Sequence, residues 1–281
     1  MRFDFFTFGG GQYWEDVFFY QKWRIQRNYS KKYYRLLDPW DIRRFSGTFE
    51  ECRRAFIEQI SIHEIARQKG HMIIMLHGLG DTKNIFKPLW RKALDEGFMA
   101  AAINYPSRLK HMDSHVRQLE FLLDNLEDVE KVSFVAKGIG GLVLRKLMAK
   151  ASPWQEKLKI GRIVQVGTQN KSSELLEKMS EHWIFRWLLG PMLSEVRSEA
   201  MPKIPEFKKN REFGVISTDY AFRDFTFLLP RAWKEVLPQP KDCALKGEKE
   251  RIYIRCARFN PFKSRKIVNA TINFIKKGTF N

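Results

Sequence analysis

The stretch VAKGIGGL, residues 135–142, passes from an apolar run directly into a helical pattern through a turn of small residues. VSFVA at 132–136 predicts a buried strand, and the segment that starts at Gly140 and continues to residue 150 predicts a helix. Open α/β sheets bind their ligands at the carboxyl ends of parallel strands. Residues 135–142 therefore indicate an α/β fold and also the place in it where a ligand site belongs.

The segments on either side of this turn repeat the alternation of short apolar runs and amphipathic helices. Such alternation predicts an α/β fold with a mostly parallel sheet and helices on both faces. The expected strands are 72–76, 98–104, 132–136, 162–166, 213–217 and 251–257. The expected helices are about 87–96, 111–126, 140–150 and 264–276, together with a long, mostly helical stretch at 172–200.

Residues 1–70 differ from the rest of the chain because they are both aromatic and basic. Short strands are expected at 22–26 and 33–37. Thr48 precedes a helical pattern and has Glu51 three positions further on, which is the arrangement of a capping box. The sequence thus predicts an N-terminal extension at 1–70, packed on the core, and an α/β domain at 71–281.

The composition is that of a folded and strongly basic protein. Apolar residues make up 44% of the 281 residues, which supplies a sizeable core and excludes disordered and fibrous architectures. The 50 Lys and Arg residues exceed the 32 Asp and Glu residues by enough to give a formal net charge of +18. Because a charge of this size repels itself, we expect an anionic partner that neutralises it.

The cysteines and histidines form no recognisable framework. Cys52, Cys243 and Cys256 are too few for a disulfide network and lack the paired spacing of a zinc site. His111 and His115 lie four apart on a predicted helix without a third ligand, so the pair is interpreted as a solvated face and no metal or cofactor is predicted. With no apolar run of about 18 residues, we expect no transmembrane segment. The cysteine usage predicts an intracellular, reducing compartment (cytoplasm or organelle matrix), and the acidic residues near the N-terminus predict no secretion.

Three motifs in order carry a resemblance to a known family: LHGLG at 76–80, YPS at 105–107 and VAKGIGGL at 135–142. Over residues 71–281 the chain resembles small bacterial lipase- or esterase-like members of the α/β-hydrolase family. The resemblance implies that 135–142 is the nucleophile elbow, a sharp strand-to-helix turn. It also implies an oxyanion hole formed by the backbone amides of Leu79 and Ile139, with His77 shaping the loop.

The same resemblance implies a degenerate catalytic triad. Relatives read G-H-S-x-G-G at the elbow, whereas here Lys137 replaces the histidine and Gly138 stands at the serine position. The acid position falls on Asp242 and the histidine position on Arg258, and no histidine lies beyond residue 182. Glycine offers no nucleophile, and arginine cannot act as a base at neutral pH. We therefore expect no intact catalytic residue and a charge pair between Asp242 and Arg258.

Two functions follow from this interpretation. The first is a catalytically inactive α/β-hydrolase-like protein, a non-enzymatic binding or assembly subunit whose basic surface holds a protein complex, RNA or an anionic membrane surface. The alternative is an esterase- or lipase-like serine hydrolase relative with a rearranged active site. In that case Cys243 or Cys256 would be the substitute nucleophile.

Two ligand expectations accompany these functions. A glycine-rich helix N-terminus attracts anions through its backbone amides. Lys137, Gly138, Gly140 and Arg258 are therefore predicted to form an anion-binding site. The former acyl pocket could hold a lipid or another small molecule.

Overall fold

The N-terminal part of the chain contains an antiparallel sheet in the computed structural model, which describes residues 11–31, 33–172, 174–218, 239–256 and 260–281. In spatial order its strands are β1 (Trp14–Tyr20), β2 (Trp23–Asn28), β3 (Tyr34–Leu37) and β4 (Arg43–Gly47). The expected strands 22–26 and 33–37 are β2 and β3, whereas β1 and β4 were not predicted.

Helix α1 (Phe49–Ile62) covers one face of this sheet. Phe56 of α1 packs against Phe18 and Leu36 in a common buried cluster. The helix begins at Thr48, whose side chain accepts from the Glu51 amide while the Glu51 carboxylate accepts from the Thr48 amide. The capping box predicted from the sequence is thus confirmed.

The main body is a six-stranded parallel sheet. Its strands are β5 (His71–Leu76), β6 (Met99–Ile103), β7 (Lys131–Lys137), β8 (Lys159–Val166), β9 (Phe213–Ser217) and β10 (Glu250–Tyr253). They lie in the order β6-β5-β7-β8-β9-β10, and every neighbouring pair is parallel. All six correspond to expected strands.

Helices cover both faces of this sheet. They are α2 (Lys87–Asp95), α3 (Met112–Asp124), α4 (Ile139–Ala149), α5 (Trp154–Lys157), α6 (Glu174–Glu181), α7 (Trp183–Leu189) and α8 (Arg265–Lys277). Alternate residues of a strand point to opposite faces. Accordingly Ile74 lies in one buried cluster with residues of α3 and α4, and Ile73 in another with α2 and α8. The predicted α/β fold with helices on both faces is confirmed. None of the helices in the described ranges is long and apolar enough to cross a membrane.

The structure differs from the sequence-based prediction at the end of the last strand. β10 ends at Tyr253, and residue 257 lies outside the described residues. Among the described residues this strand pairs with β9, which itself ends at Ser217. The stretch 172–200 is mostly helical, as predicted. It consists of α6, α7 and a 3₁₀ helix at Pro191–Val196, and Gly190, with φ 80°, lies between α7 and the 3₁₀ helix.

Candidate functional site at the strand-to-helix turn

Gly138 forms the sharp turn between β7 and α4. Its backbone angles are φ 52° and ψ −128°, a conformation that residues with a side chain rarely adopt. Its N–H donates to the Val166 carbonyl at 3.1 Å, and its carbonyl accepts from the Gly141 N–H at 3.0 Å. The first bond ties the turn to the carboxyl end of β8, the neighbouring strand.

The two glycines that follow let α4 lie directly on the sheet. A Cβ atom on Gly140 would lie 2.5 Å from the His77 carbonyl oxygen and 2.8 Å from that of Leu76. A Cβ on Gly141 would overlap the fully buried side chain of Thr168. Small residues are therefore required at these positions by packing, whatever the chemistry at Gly138.

The loop after β5 lies against this turn. A Cβ on Gly78 would lie 3.5 Å from the carbonyl oxygen of Lys137, so the two segments are in contact. Within the loop, the Gly78 amide donates to the Asp81 carboxylate at 3.2 Å and the Gly80 amide donates to the Ser107 hydroxyl at 3.0 Å. Across the described residues, no acceptor takes the amide hydrogen of Leu79 or Ile139. An oxyanion hole formed by these two amides stays a prediction.

Lys137 carries a buried ion pair next to the turn. Its ammonium lies 2.7 Å from Asp81 Oδ2, and its side chain is almost fully buried. Sequence reasoning missed Asp81; the available signal was the lysine itself, since a buried ammonium needs a counter-ion. Asp81 neutralises the predicted cation, and the Gly138 amide is bonded to Val166. The anion site predicted at Lys137, Gly138, Gly140 and Arg258 stays a prediction, and Arg258 lies outside the described residues.

Asp242 lies on a short 3₁₀ helix, Pro240–Cys243, beside the carboxyl end of β8. Its carboxylate accepts from the Gln239 amide at 2.8 Å, and its carbonyl accepts from the Asn170 amide at 2.9 Å. The carboxylate therefore caps its own helix. The expected partner Arg258 lies outside the described residues, so the charge pair stays a prediction.

His77, Tyr105 and His115 form a buried aromatic group behind the loop. The rings of His77 and Tyr105 stack with centroids 4.1 Å apart, and Tyr105 and His115 are 4.9 Å apart. His77 Nδ1 lies 2.8 Å from the Gly78 carbonyl, and the Tyr105 amide donates to His77 Nε2 at 3.4 Å. Both ring nitrogens of His77 are thus engaged, which suits a structural role. The interpretation of His115 as part of a solvated face was wrong, because it shares the buried side of α3 with Val116 and Leu119.

The remaining candidate nucleophiles are buried. Burial raises the pKa of the Cys243 thiol to about 11, so it carries no thiolate at neutral pH. Cys256 is also buried. Ser133 Oγ lies 2.8 Å from His71 Nε2, but His71 is the first residue of β5, at the opposite end of the strands from Gly138. Because Ser133 is fully buried and also accepts from the Arg162 amide, this contact is structural.

The buried histidines predict a loss of stability in mild acid. Burial lowers the pKa of His115 to about 3, and burial together with Lys131 and Arg162 lowers that of His71 to about 4. Unfolding lets both rings bind protons near their ordinary pKa of about 6.5. Their stabilising contribution is therefore complete above that value and decreases as pH falls toward the folded-state values. We expect the free energy of unfolding, measured in urea, to fall by about 2 kcal/mol between pH 7 and 5 through His115 alone, and further through the half-buried His71.

His115→Leu should flatten this pH dependence, since it removes the more deeply buried ring from an aromatic environment. The matched surface control is His63→Gln, on the exposed end of α1. A free energy of unfolding that is equal at pH 7 and pH 5 in the unmodified protein would contradict the prediction.

Comparison with known proteins places the fold. No family model and no curated protein matches the sequence. Among solved structures, the mature Bacillus licheniformis lipase BlEst2 is 15% identical, with 74% of this chain and 91% of that chain covered and a TM-score of 0.55. The product of the gene lin2722 from Listeria innocua is 11% identical, covers 74% of this chain and 94% of that one, and has a TM-score of 0.49. A monoacylglycerol lipase from Paleococcus ferrophilus is 12% identical, with coverages of 73% and 93% and a TM-score of 0.47.

The similarity to the Bacillus licheniformis lipase agrees with the element order around the candidate site. The likeness covers most of that lipase, and here the parallel sheet leads through Gly138 into α4. At 15% identity the likeness concerns the fold and not the chemistry. The chain therefore has the α/β-hydrolase fold.

Proposed function

We propose that this protein is a catalytically inactive α/β-hydrolase-fold protein that serves as a non-enzymatic binding or assembly subunit. The observation that carries the proposal is the turn at Gly138, which keeps the backbone shape of a nucleophile elbow and has no side chain there. Without a hydroxyl or thiol at this position, no acyl-enzyme forms by the ordinary route.

The surroundings of the turn support the same proposal. The Lys137 ammonium, next to the turn, is neutralised by the Asp81 carboxylate at 2.7 Å. His77, the histidine nearest in sequence to the loop, has both ring nitrogens engaged and is fully buried, and burial lowers its pKa. The Cys243 thiol is protonated at neutral pH because burial raises its pKa. Among these described residues, no pair thus supplies both a reactive nucleophile and a base at this turn.

The binding role is proposed from the charge. A formal net charge of +18 attracts anionic surfaces and makes association sensitive to salt. A protein complex, RNA and an anionic membrane surface all have the required chemistry. A lipid in the former acyl pocket is compatible with this role, because the amides of Leu79 and Ile139 would donate hydrogen bonds to its carbonyl oxygen.

The second candidate is an esterase- or lipase-like hydrolase with a rearranged site. It is favoured by the same two amides, since an enzyme of this fold needs donors for the developing oxyanion. The nucleophile would then come from a residue other than Gly138, with the buried Cys243 and Cys256 as the candidates from the sequence.

Hydrolysis of short p-nitrophenyl esters and labelling by a fluorophosphonate probe separate the two candidates. We expect neither turnover above buffer nor labelling, with the Bacillus licheniformis lipase as the positive control. Gly138→Ser is also expected to stay inactive, because a hydroxyl alone lacks a base to deprotonate it. Turnover that is lost in Cys243→Ser or Cys256→Ser would contradict the proposal and establish the hydrolase.

A further inference from the structure

Helix α7 presents large apolar side chains to solvent. Trp183, Ile184 and Trp187 are 68%, 50% and 62% exposed. At 100° per residue these three lie within an arc of about 100° on one side of the helix. Phe185, on the opposite side, packs against the buried cluster under the sheet. The helix is thus anchored by one side and leaves an apolar stripe without a partner among the described residues.

The apolar stripe of α7, meaning Trp183, Ile184 and Trp187, is bordered by polar residues and lies near the candidate site. His182 and Arg186, on its edge, are exposed, as is Glu181 just before the helix. The helix ends at Gly190, where a Cβ would overlap the backbone of Arg108. Arg108 belongs to the loop after β6, whose Ser107 accepts from the Gly80 amide of the loop beside Gly138. The stripe therefore lies at the same end of the sheet as the turn.

We propose that α7 docks into the interface of an anionic membrane, with Trp183, Ile184 and Trp187 inserted between the headgroups. Tryptophan prefers the membrane–water interface, and a helix with an apolar stripe beside polar residues is typical of interfacial binding. The net charge of +18 complements the negative surface potential of anionic lipids. This inference rests on the proposed function, since it names the partner that the basic protein binds.

The chemistry of the stripe favours a bilayer over RNA. Bases are bound by stacking on aromatic or guanidinium planes. Ile184, one third of the stripe and half exposed, contributes nothing to stacking or to hydrogen bonding with a base. All three side chains gain from leaving water for the acyl boundary.

Flotation of the full chain with phosphatidylcholine vesicles, with and without phosphatidylglycerol, tests the docking. The full chain should bind vesicles that contain phosphatidylglycerol, and binding should weaken between low and physiological salt. The double variant Trp183→Ala/Trp187→Ala should bind these vesicles roughly tenfold more weakly. The matched control is Trp40→Ala, which removes a tryptophan that is 76% exposed on the N-terminal part. Trp40→Ala should bind these vesicles within about twofold of the unmodified protein, because the substitution removes no apolar area from α7.

The outcomes separate this inference from the proposed function. Absence of vesicle binding, or equal loss in Trp40→Ala and in the double variant, would overturn the docking. Binding to a single-stranded RNA oligonucleotide without vesicle binding would also overturn it. Ester hydrolysis by the vesicle-bound protein would instead refute the inactive site and leave the docking intact. Thermal unfolding of each variant excludes misfolding as the cause, since the substituted tryptophans are exposed.

Discussion

Gly140→Ala is expected to destabilise the protein by about 3 kcal/mol. A helix normally gains stability from this exchange, because glycine costs about 1 kcal/mol relative to alanine in a helix interior. Here the new Cβ would lie 2.5 Å and 2.8 Å from the carbonyl oxygens of His77 and Leu76. Both are backbone atoms at the end of β5, between β6 and β7. Relief of the overlap therefore requires α4 to move away from the sheet and the turn at Gly138 to open.

Urea unfolding measures this effect, and Gly70→Ala supplies the control. At Gly70, with φ 106°, an added Cβ meets no atom within 4 Å. That substitution costs only the backbone strain of about 1 kcal/mol. If Gly140→Ala is no less stable than Gly70→Ala, α4 does not need glycine for its approach to β5, and the packing explanation of the turn is wrong.

The parallel sheet was predictable because its strands carry uninterrupted apolar runs. β5 and β9 are buried on both faces, so their sequences, HMIIML and FGVIS, show the run directly. The turn at Gly138 was predictable for a related reason, since consecutive small residues between a strand and a helix indicate a sharp turn with close packing. Hydrophobic periodicity and glycine placement are local patterns, so both can be read from a single sequence without knowledge of distant contacts.

The N-terminal sheet was half predictable, because two of its strands hide their pattern. β1 contains Glu15 and Asp16, which look like surface residues and are nevertheless fully buried. Lys110, one partner of Glu15, lies 95 positions away. β4 is an edge strand with the exposed residues Arg43 to Phe45. Because β1 buries charged residues that pair with distant partners and β4 is exposed at the sheet edge, neither strand shows the alternation of apolar and polar residues that predicts a strand.

The candidate site shows the same limit. The position of Gly138 follows from the local sequence, but the pairing of Lys137 with Asp81 depends on how the loop after β5 folds back across 56 positions. The exposure of the apolar stripe on α7 was equally hidden, because HWIFRWLLG reads as the sequence of a buried helix. Only the packing of Phe185 shows which side faces outward.

Asp16 joins the N-terminal sheet to the end of β6. Its Oδ2 accepts from Arg24 Nη1 and from the Asn104 amide, both at 2.7 Å, and its Oδ1 accepts from Gln26 Nε2 at 2.7 Å. Asn104 follows β6 and precedes Tyr105, which stacks on His77 behind the candidate site. A single buried carboxylate thus accepts hydrogen bonds from two side chains of the N-terminal sheet, Arg24 and Gln26, and from the backbone amide of Asn104, which follows a strand of the parallel sheet.

Asp16→Ala is expected to cost about 3–5 kcal/mol, because removal of one partner of a buried ion pair leaves the other charge poorly compensated. The carboxylate that remains near Arg24 is that of Asp41, 3.9 Å from Nε and half-exposed. Arg24 is only 7% exposed, so its guanidinium cannot recover water without opening the contact between β1 and β6. Urea unfolding gives the value, and the control is Glu174→Ala, whose exposed carboxylate pairs with Lys178 at 2.8 Å. Exposed pairs contribute about 1 kcal/mol or less. Asp16→Asn keeps the shape and one acceptor oxygen, and its loss of stability should lie between those of the two alanine variants. Equal losses in Asp16→Ala and Glu174→Ala would mean that Arg24 reaches solvent and that the two sheets are joined by apolar packing alone.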